Sequence, residues 1–187
     1  MLKDEALLDA AARVLADNRG ASLVQVATGI GISRATLSRR YPTREALIRA
    51  VAARAIDVID ERLAATDLPD DADAAAFDAS LERLIADLAP AVDLYGFTAQ
   101  DGLVLADPVF RAGLERHDQR ALRFVTLGQR LGRLRGDLPP YWIWYMLWGL
   151  LDAAAEGVRD GHLGHREIRR LVGTVFRHGA EPPDASP

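Results

Sequence analysis

Cysteine is absent from the 187 residues, which removes disulfides, thiolate zinc sites and cysteine nucleophiles from consideration. Lysine occurs once, as Lys3, so arginine carries nearly all the positive charge. Long apolar runs are missing too. The longest, Tyr141–Leu151, is about half of the roughly 20 residues needed to span a bilayer. The opening MLKDEALLDA carries acids and lacks an apolar stretch ahead of a small-residue cleavage site, so it does not read as a signal peptide. A cytoplasmic protein without a membrane partner is expected. Neither a Gly-x-Ser-x-Gly elbow nor a Gly-x-x-x-x-Gly-Lys phosphate loop occurs. Of the histidines, only His162 and His165 lie close in sequence. They sit in a glycine-rich break without a partner at zinc spacing. The expectation is therefore a non-enzyme with no metal and no cofactor.

The chain does have the balance of an ordinary globular protein, with 49% hydrophobic and 27% charged residues. Its charge is unevenly spread. The whole carries −4, yet residues 1–54 hold nine basic and five acidic residues, a net of +4, which leaves the remainder at −8. A basic head on an acidic body suits a molecule that presents one end to phosphate.

Helical periodicity dominates, and no run alternates as a strand would. A first helix is expected over Lys3–Asn18, with Leu7, Leu8, Ala11, Ala12 and Leu15 on one face and Gly20 beyond its end. Ser22 followed by Gln25 forms a capping-box pattern at the start of a second, which Gly29 and Gly31 cut short. Ser33 caps a third, Arg34–Tyr41, and Pro42 disfavours its continuation. Thr43 caps a fourth, Arg44–Ala65. After a loop over Thr66–Ala74, helices are expected at Phe77–Leu88, Pro90–Tyr95, Leu103–Ala106 and Val109–Arg135. Tyr141–Asp160 and Arg166–Arg177 follow a Gly-Asp-Leu-Pro-Pro turn and a second glycine-rich break. The class is all-α: a three-helix N-terminal head over 1–48, a helical bundle over 49–180, and a flexible tail over 181–187.

Two short helices joined through Gly-Ile-Gly-Ile have the sequence form of a helix-turn-helix. Val26, Ala27, Ile30, Ile32, Leu37 and Tyr41 would fix the crossing from inside. The outward face of the second helix would offer Arg34, Ala35, Ser38 and Arg39. An arginine there can reach a guanine edge in a major groove. The caps Ser22, Ser33 and Thr43 have a purely structural reading as well, each worth about 1 kcal/mol.

The stretch Ser22–Leu47 resembles the DNA-binding core of the tetracycline-repressor (TetR) family. The likeness rests on Ser22, Val26-Ala27, Gly31-Ile32-Ser33, Thr36-Leu37, Tyr41-Pro42, Thr43, Arg44 and Glu45-Ala46-Leu47. The chain departs from the pattern at Ser38, where an aromatic is usual, at Arg40 in place of histidine, and in the short link from Gly20 to Ser22. The resemblance implies a homodimeric regulator of transcription, by family habit a repressor, that binds a double-stranded DNA operator and is released by a small-molecule effector. It further implies phosphate contacts from Ser22, Ser33, Thr36, Tyr41, Thr43 and Arg44, with Arg34, Ala35 and Ser38 facing the bases. The alternative is a helical small-molecule-binding or interaction protein that has lost operator binding.

In the body, Tyr141–Leu151 is apolar all round, as in a helix buried on every side. One side would meet the core and another a second subunit, the seam comprising Trp142, Met146, Leu150, Ile168, Leu171, Val172, Val175 and Phe176. This resembles the family's four-helix dimer interface. Candidate pocket residues are Phe77, Leu88, Tyr95, Phe97, Leu103, Phe110, Leu114, His117, Phe124, Tyr145, Trp148 and Asp152. Asp152 follows an apolar run, where a charge needs a partner. It is expected either to meet a cationic or polar ligand or to pair with an arginine across the dimer.

Overall fold

The computed structural model describes residues 4–182. Among these there is no strand, and the chain forms a succession of helices. Three open it: α1 (Asp4–Asp17), α2 (Leu23–Gly29) and α3 (Arg34–Arg40). α4 (Arg44–Ala64), α5 (Ala74–Tyr95), a 3-10 turn at Gly96–Gln100, α6 (Gly102–Leu105) and α7 (Pro108–Arg130) follow. α8 (Pro140–Arg159) and α9 (His165–Ala180) close the succession. Lys3 and residues 183–187 of the expected tail lie outside the described residues.

The chain divides into two compact units. The first takes in residues up to Val58 together with Ala91–Leu114. Its core forms where Leu7, Ala11 and Leu15 of α1, Val26 and Ala27 of α2, and Leu37 of α3 lose their contact with water together with Leu47, Ile48 and Val51 of α4. Burying a leucine or valine of this kind stabilises a fold by roughly 1.5–3 kcal/mol. Polar ties supplement this packing. Nε of Arg54 donates to Oδ1 of Asp9 at 3.1 Å, and the buried Tyr95 hydroxyl donates to the same oxygen.

The second unit comprises Ile59–Pro90 and the chain from Glu115 onward. α8 packs on α9, burying Ile143, Trp144, Leu147 and Leu151 from one and Ile168, Val172 and Phe176 from the other. The rings of Phe77 and Phe124 stack with centroids 4.6 Å apart. Asp60 gathers the basic groups of Arg116, His117 and Arg120 at 3.8, 3.5 and 3.7 Å.

Helix ends shift by up to three residues elsewhere, and two departures from expectation are larger. Pro90 lies inside α5 instead of separating two helices. The ring removes one backbone donor, but Leu84, Ile85, Leu88, Val92 and Tyr95 are all buried along the same helix, and that packing carries the helix through. α7 ends at Arg130, five residues early. Gly132 adopts a φ of 68° there, a left-handed conformation that stops a helix and that glycine reaches at no steric cost.

Candidate nucleic-acid interface

The link between α2 and α3 is four residues, Ile30–Ser33. Gly31 supplies its turn at φ 72°, where a side chain would clash with its own backbone. Both helix starts are closed by side chains. The amide of Ser22 donates to Oε1 of Gln25 at 2.8 Å, and that of Gln25 donates to Oγ of Ser22 at 3.3 Å. Oγ of Ser33 accepts from the Thr36 amide at 3.1 Å and lies 2.9 Å from the Thr36 hydroxyl. Thr43 caps α4 in the same way, accepting from the Ala46 amide at 3.1 Å. All three hydroxyls are committed to helix starts, and all three residues remain exposed.

α3 buries Leu37 completely and turns its other side outward. Arg34, Ala35 and Arg39 are exposed, while Thr36 and Ser38 are half-buried. Among the described residues neither Arg34 nor Arg39 is held in an ion pair or a side-chain hydrogen bond. Two guanidinium groups thus stand unneutralised on one short helix. Ile30 and Ile32, expected inside, are only half-buried.

Two expected phosphate contacts are engaged within the unit. Nε of Arg44 donates to the Ala21 carbonyl at 2.9 Å, and its Nη2 donates to the carbonyl of Arg19. The side chain fastens the turn before α2 onto the start of α4. The Tyr41 hydroxyl donates to Oδ1 of Asp4 at 3.3 Å, beside the 3.0 Å bond from Nη1 of Arg40. Burial and the adjacent Asp4 carboxylate push the Tyr41 hydroxyl pKa up. Nothing in sequence spacing pairs Asp4 with residues near position 40. The only hint was Arg40 itself, at the position where the family has histidine.

Comparison with known proteins places this geometry. The transcriptional repressor LfrR of Mycolicibacterium smegmatis, a helix-turn-helix protein, is 32% identical over 173 residues, covering 89% of this chain and 85% of that one. The chain belongs to the TetR family of transcriptional regulators. The crystal structure of LfrR from Mycobacterium smegmatis in complex with proflavine, described as TetR-like, superposes with a TM-score of 0.72 at 28% identity, over 92% of this chain and 94% of that one. A ketosteroid transcriptional regulator of Mycobacterium tuberculosis shares the fold, with a TM-score of 0.75 at 16% identity over 97% of each chain. No family model matches the sequence.

As a TetR-family member, the chain is a DNA-binding regulator of transcription. In its second unit, a space lined by apolar side chains that include Leu81, Leu84, Phe124, Ile143, Trp144 and Leu147 has a free volume of about 10 Å³. That is room for about one water molecule. Its polar lining groups include Asp67 and Arg120, paired at 3.3 Å. Of the pocket candidates from sequence, Phe124 lines this space. Phe77 and Leu88 are buried core of the same unit, and His117 is buried beside Asp60. Trp148 and Asp152 are half-buried. Tyr145 is exposed and its hydroxyl donates to Asp118, whose other oxygen accepts from Nε1 of Trp144 at 2.9 Å. Tyr95, Phe97 and Phe110 are buried in the first unit, where Leu103 and Leu114 are half-buried.

The seam residues divide by which side of their helix they occupy. Ile168, Val172 and Phe176 are already buried within the chain, at 4%, 3% and 2% exposure, which leaves them almost no surface to offer a partner. The periodicity of α9 marked an apolar stripe but not which neighbour covers it, and α8 takes that face. Trp142 and Val175 remain outside at 62% and 52%, with Met146, Leu150 and Leu171 half-buried. Among the described residues no helix is long and apolar enough to cross a membrane, and no cluster of metal-ligating side chains forms.

Proposed function

We propose that this regulator is an operator-binding repressor, that two copies act together, and that a small molecule held in the body releases it. The observation that carries the reading is the outer face of α3. Arg34 and Arg39 stand there without acidic partners among the described residues, within a stretch, residues 1–54, of net charge +4. Arg34, Ala35 and Ser38 are the base-reading set. Ser22, Ser33, Thr36, Arg39 and Thr43 lie against phosphates, while Tyr41 and Arg44 hold the head in shape. Residues 1–48 are the DNA-binding part, and 49–180 serve effector and partner. Two such heads meet one face of a duplex when their recognition helices are about 34–36 Å apart or a multiple of that. The exposed Trp142 and Val175, with Met146, Leu150 and Leu171 beside them, supply the seam.

LfrR has been crystallised with proflavine, which makes a planar aromatic compound the first effector to try at the space lined by Phe124 and Trp144. The protein acts in the cytoplasm and catalyses no reaction. Fluorescence anisotropy on DNA from upstream of its own gene tests the reading. Binding that weakens steeply with salt, prefers that DNA to a scrambled duplex and is relieved by an effector is the expected outcome. Equal binding to both duplexes would overturn it.

A further inference from the structure

The second unit carries a concentration of positive charge that operator recognition does not use. A groove with a volume of about 320 Å³ runs beside α9, lined by Arg166, Arg169, Arg170 and Arg177, with Glu82 and Ile85 of α5 on its other wall. At about 100° per residue these arginines share one flank of α9. Gly179, which lies against the Met146 sulfur of α8, falls on the other flank. The groove is therefore separate from the side of α9 that faces α8.

Its charges are incompletely matched. Glu82 accepts from Nη2 of Arg177 at 3.1 Å and lies 3.9 Å from Nη2 of Arg169, while Nη1 of Arg177 pairs with Glu181 at 2.9 Å. Among the described residues Arg166 and Arg170 have no ion-pair partner. Their placement also works against the helix. Like charges one turn apart repel, at a cost of a few tenths of a kcal/mol. Arg166 stands in the first turn of α9, the end whose backbone dipole disfavours a cation. Local rules broken together, in a part of the chain that is otherwise acidic, mark a site whose compensation comes from elsewhere.

We infer that this groove binds a small, multiply charged phosphoryl anion, with Arg166 and Arg170 as its principal contacts and Glu82 as an internal competitor for the other two guanidinium groups. Bound phosphate oxygens would accept charge-assisted hydrogen bonds and relieve the repulsion along α9. The volume holds a diphosphate group with space to spare, so the source is either free inorganic phosphate or the phosphates of a nucleotide.

The test is isothermal titration of the full-length protein with inorganic pyrophosphate, and separately with ADP, at fixed ionic strength. Saturable binding of either at one site per chain is expected. The R166Q/R170Q double variant is expected to weaken it by about tenfold or more. E82Q is expected to tighten it, because two guanidinium groups lose their resident carboxylate. Tighter binding of ADP than of pyrophosphate would identify the nucleotide as the source, and the reverse would identify inorganic phosphate. If neither anion binds, if E82Q weakens binding, or if the loss appears in R34Q/R39Q and not in R166Q/R170Q, the proposal is overturned.

Discussion

Oδ1 of Asp9 accepts two hydrogen bonds, one from the hydroxyl of Tyr95 and one from Nε of Arg54. One carboxylate thereby joins α1, α4 and the end of α5 inside the first unit. Burial, followed by the bond to Asp9, raises the Tyr95 hydroxyl well above its ordinary pKa of 10.0.

Tyr95→Phe removes one donor and leaves Asp9 with Arg54, so a loss of about 0.5–1.5 kcal/mol in unfolding free energy, measured by urea unfolding at neutral pH, is expected. The pH dependence has a definite sign. A tyrosine whose folded pKa is raised contributes stability that is complete below about pH 10 and is lost as the pH rises above it. Stability of the native protein therefore falls above about pH 10, and the fall is shallower in Tyr95→Phe. Tyr41 is shifted in the same direction, so part of the decline persists.

Ser33→Ala removes the hydroxyl that accepts from the Thr36 amide at the start of α3 and leaves that amide only the Ser33 carbonyl, 3.0 Å away. A loss of about 1 kcal/mol in stability is expected. Anisotropy should show weaker binding to every duplex with unchanged sequence preference, since the variant alters how the helix is held and not what it reads.

Arg34→Ala should leave the melting temperature unchanged, because the side chain is exposed and unpaired among the described residues. Its effect is expected in selectivity: discrimination at one base pair falls by about 1–3 kcal/mol. Arg39→Ala is expected to weaken binding evenly across sequences and to lower the salt slope by about 1. A drop in melting temperature with selectivity intact would reassign Arg34 to a structural part.

Arg44 separates two roles cleanly. As the tie between the Arg19 and Ala21 carbonyls and α4, its replacement by Ala costs about 1–3 kcal/mol of stability, and lysine does not restore it because an ammonium lacks the planar fork. A direct phosphate contact would instead lower the salt slope and leave unfolding alone. Thermal melts and salt titrations on the same two variants decide between them.

Trp142→Asp places a charge on the exposed side of α8. If that side is the seam, light scattering at micromolar concentration should report a monomer where the native chain is a dimer, with helix content retained by circular dichroism.

The head was legible because local chemistry specifies it. Ser22, Gln25, Gly31, Ser33, Pro42 and Thr43 act within a few residues of themselves, and the structure places their caps and turn as their identities require. What sequence did not reveal was set by packing between distant segments. Pro90 looked like a break because the burial that carries α5 past it depends on neighbours remote in the chain. Ile168, Val172 and Phe176 formed a correct apolar stripe whose covering partner no periodicity could name. The bond from Tyr41 to Asp4 and the fastening of Arg44 onto backbone carbonyls left no mark in spacing, since neither partner is a nearby residue of distinctive type.

The opening between Phe124, Ile143 and Trp144 holds about 10 Å³, far less than a small organic molecule fills. Were the proposed effector to bind here, it would wait for a rarer arrangement in which these aromatic side chains have already parted. Observed affinity is then the intrinsic affinity diminished by how seldom that arrangement occurs. Compounds will be ranked by the width of parting they demand as well as by the contacts they make once inside.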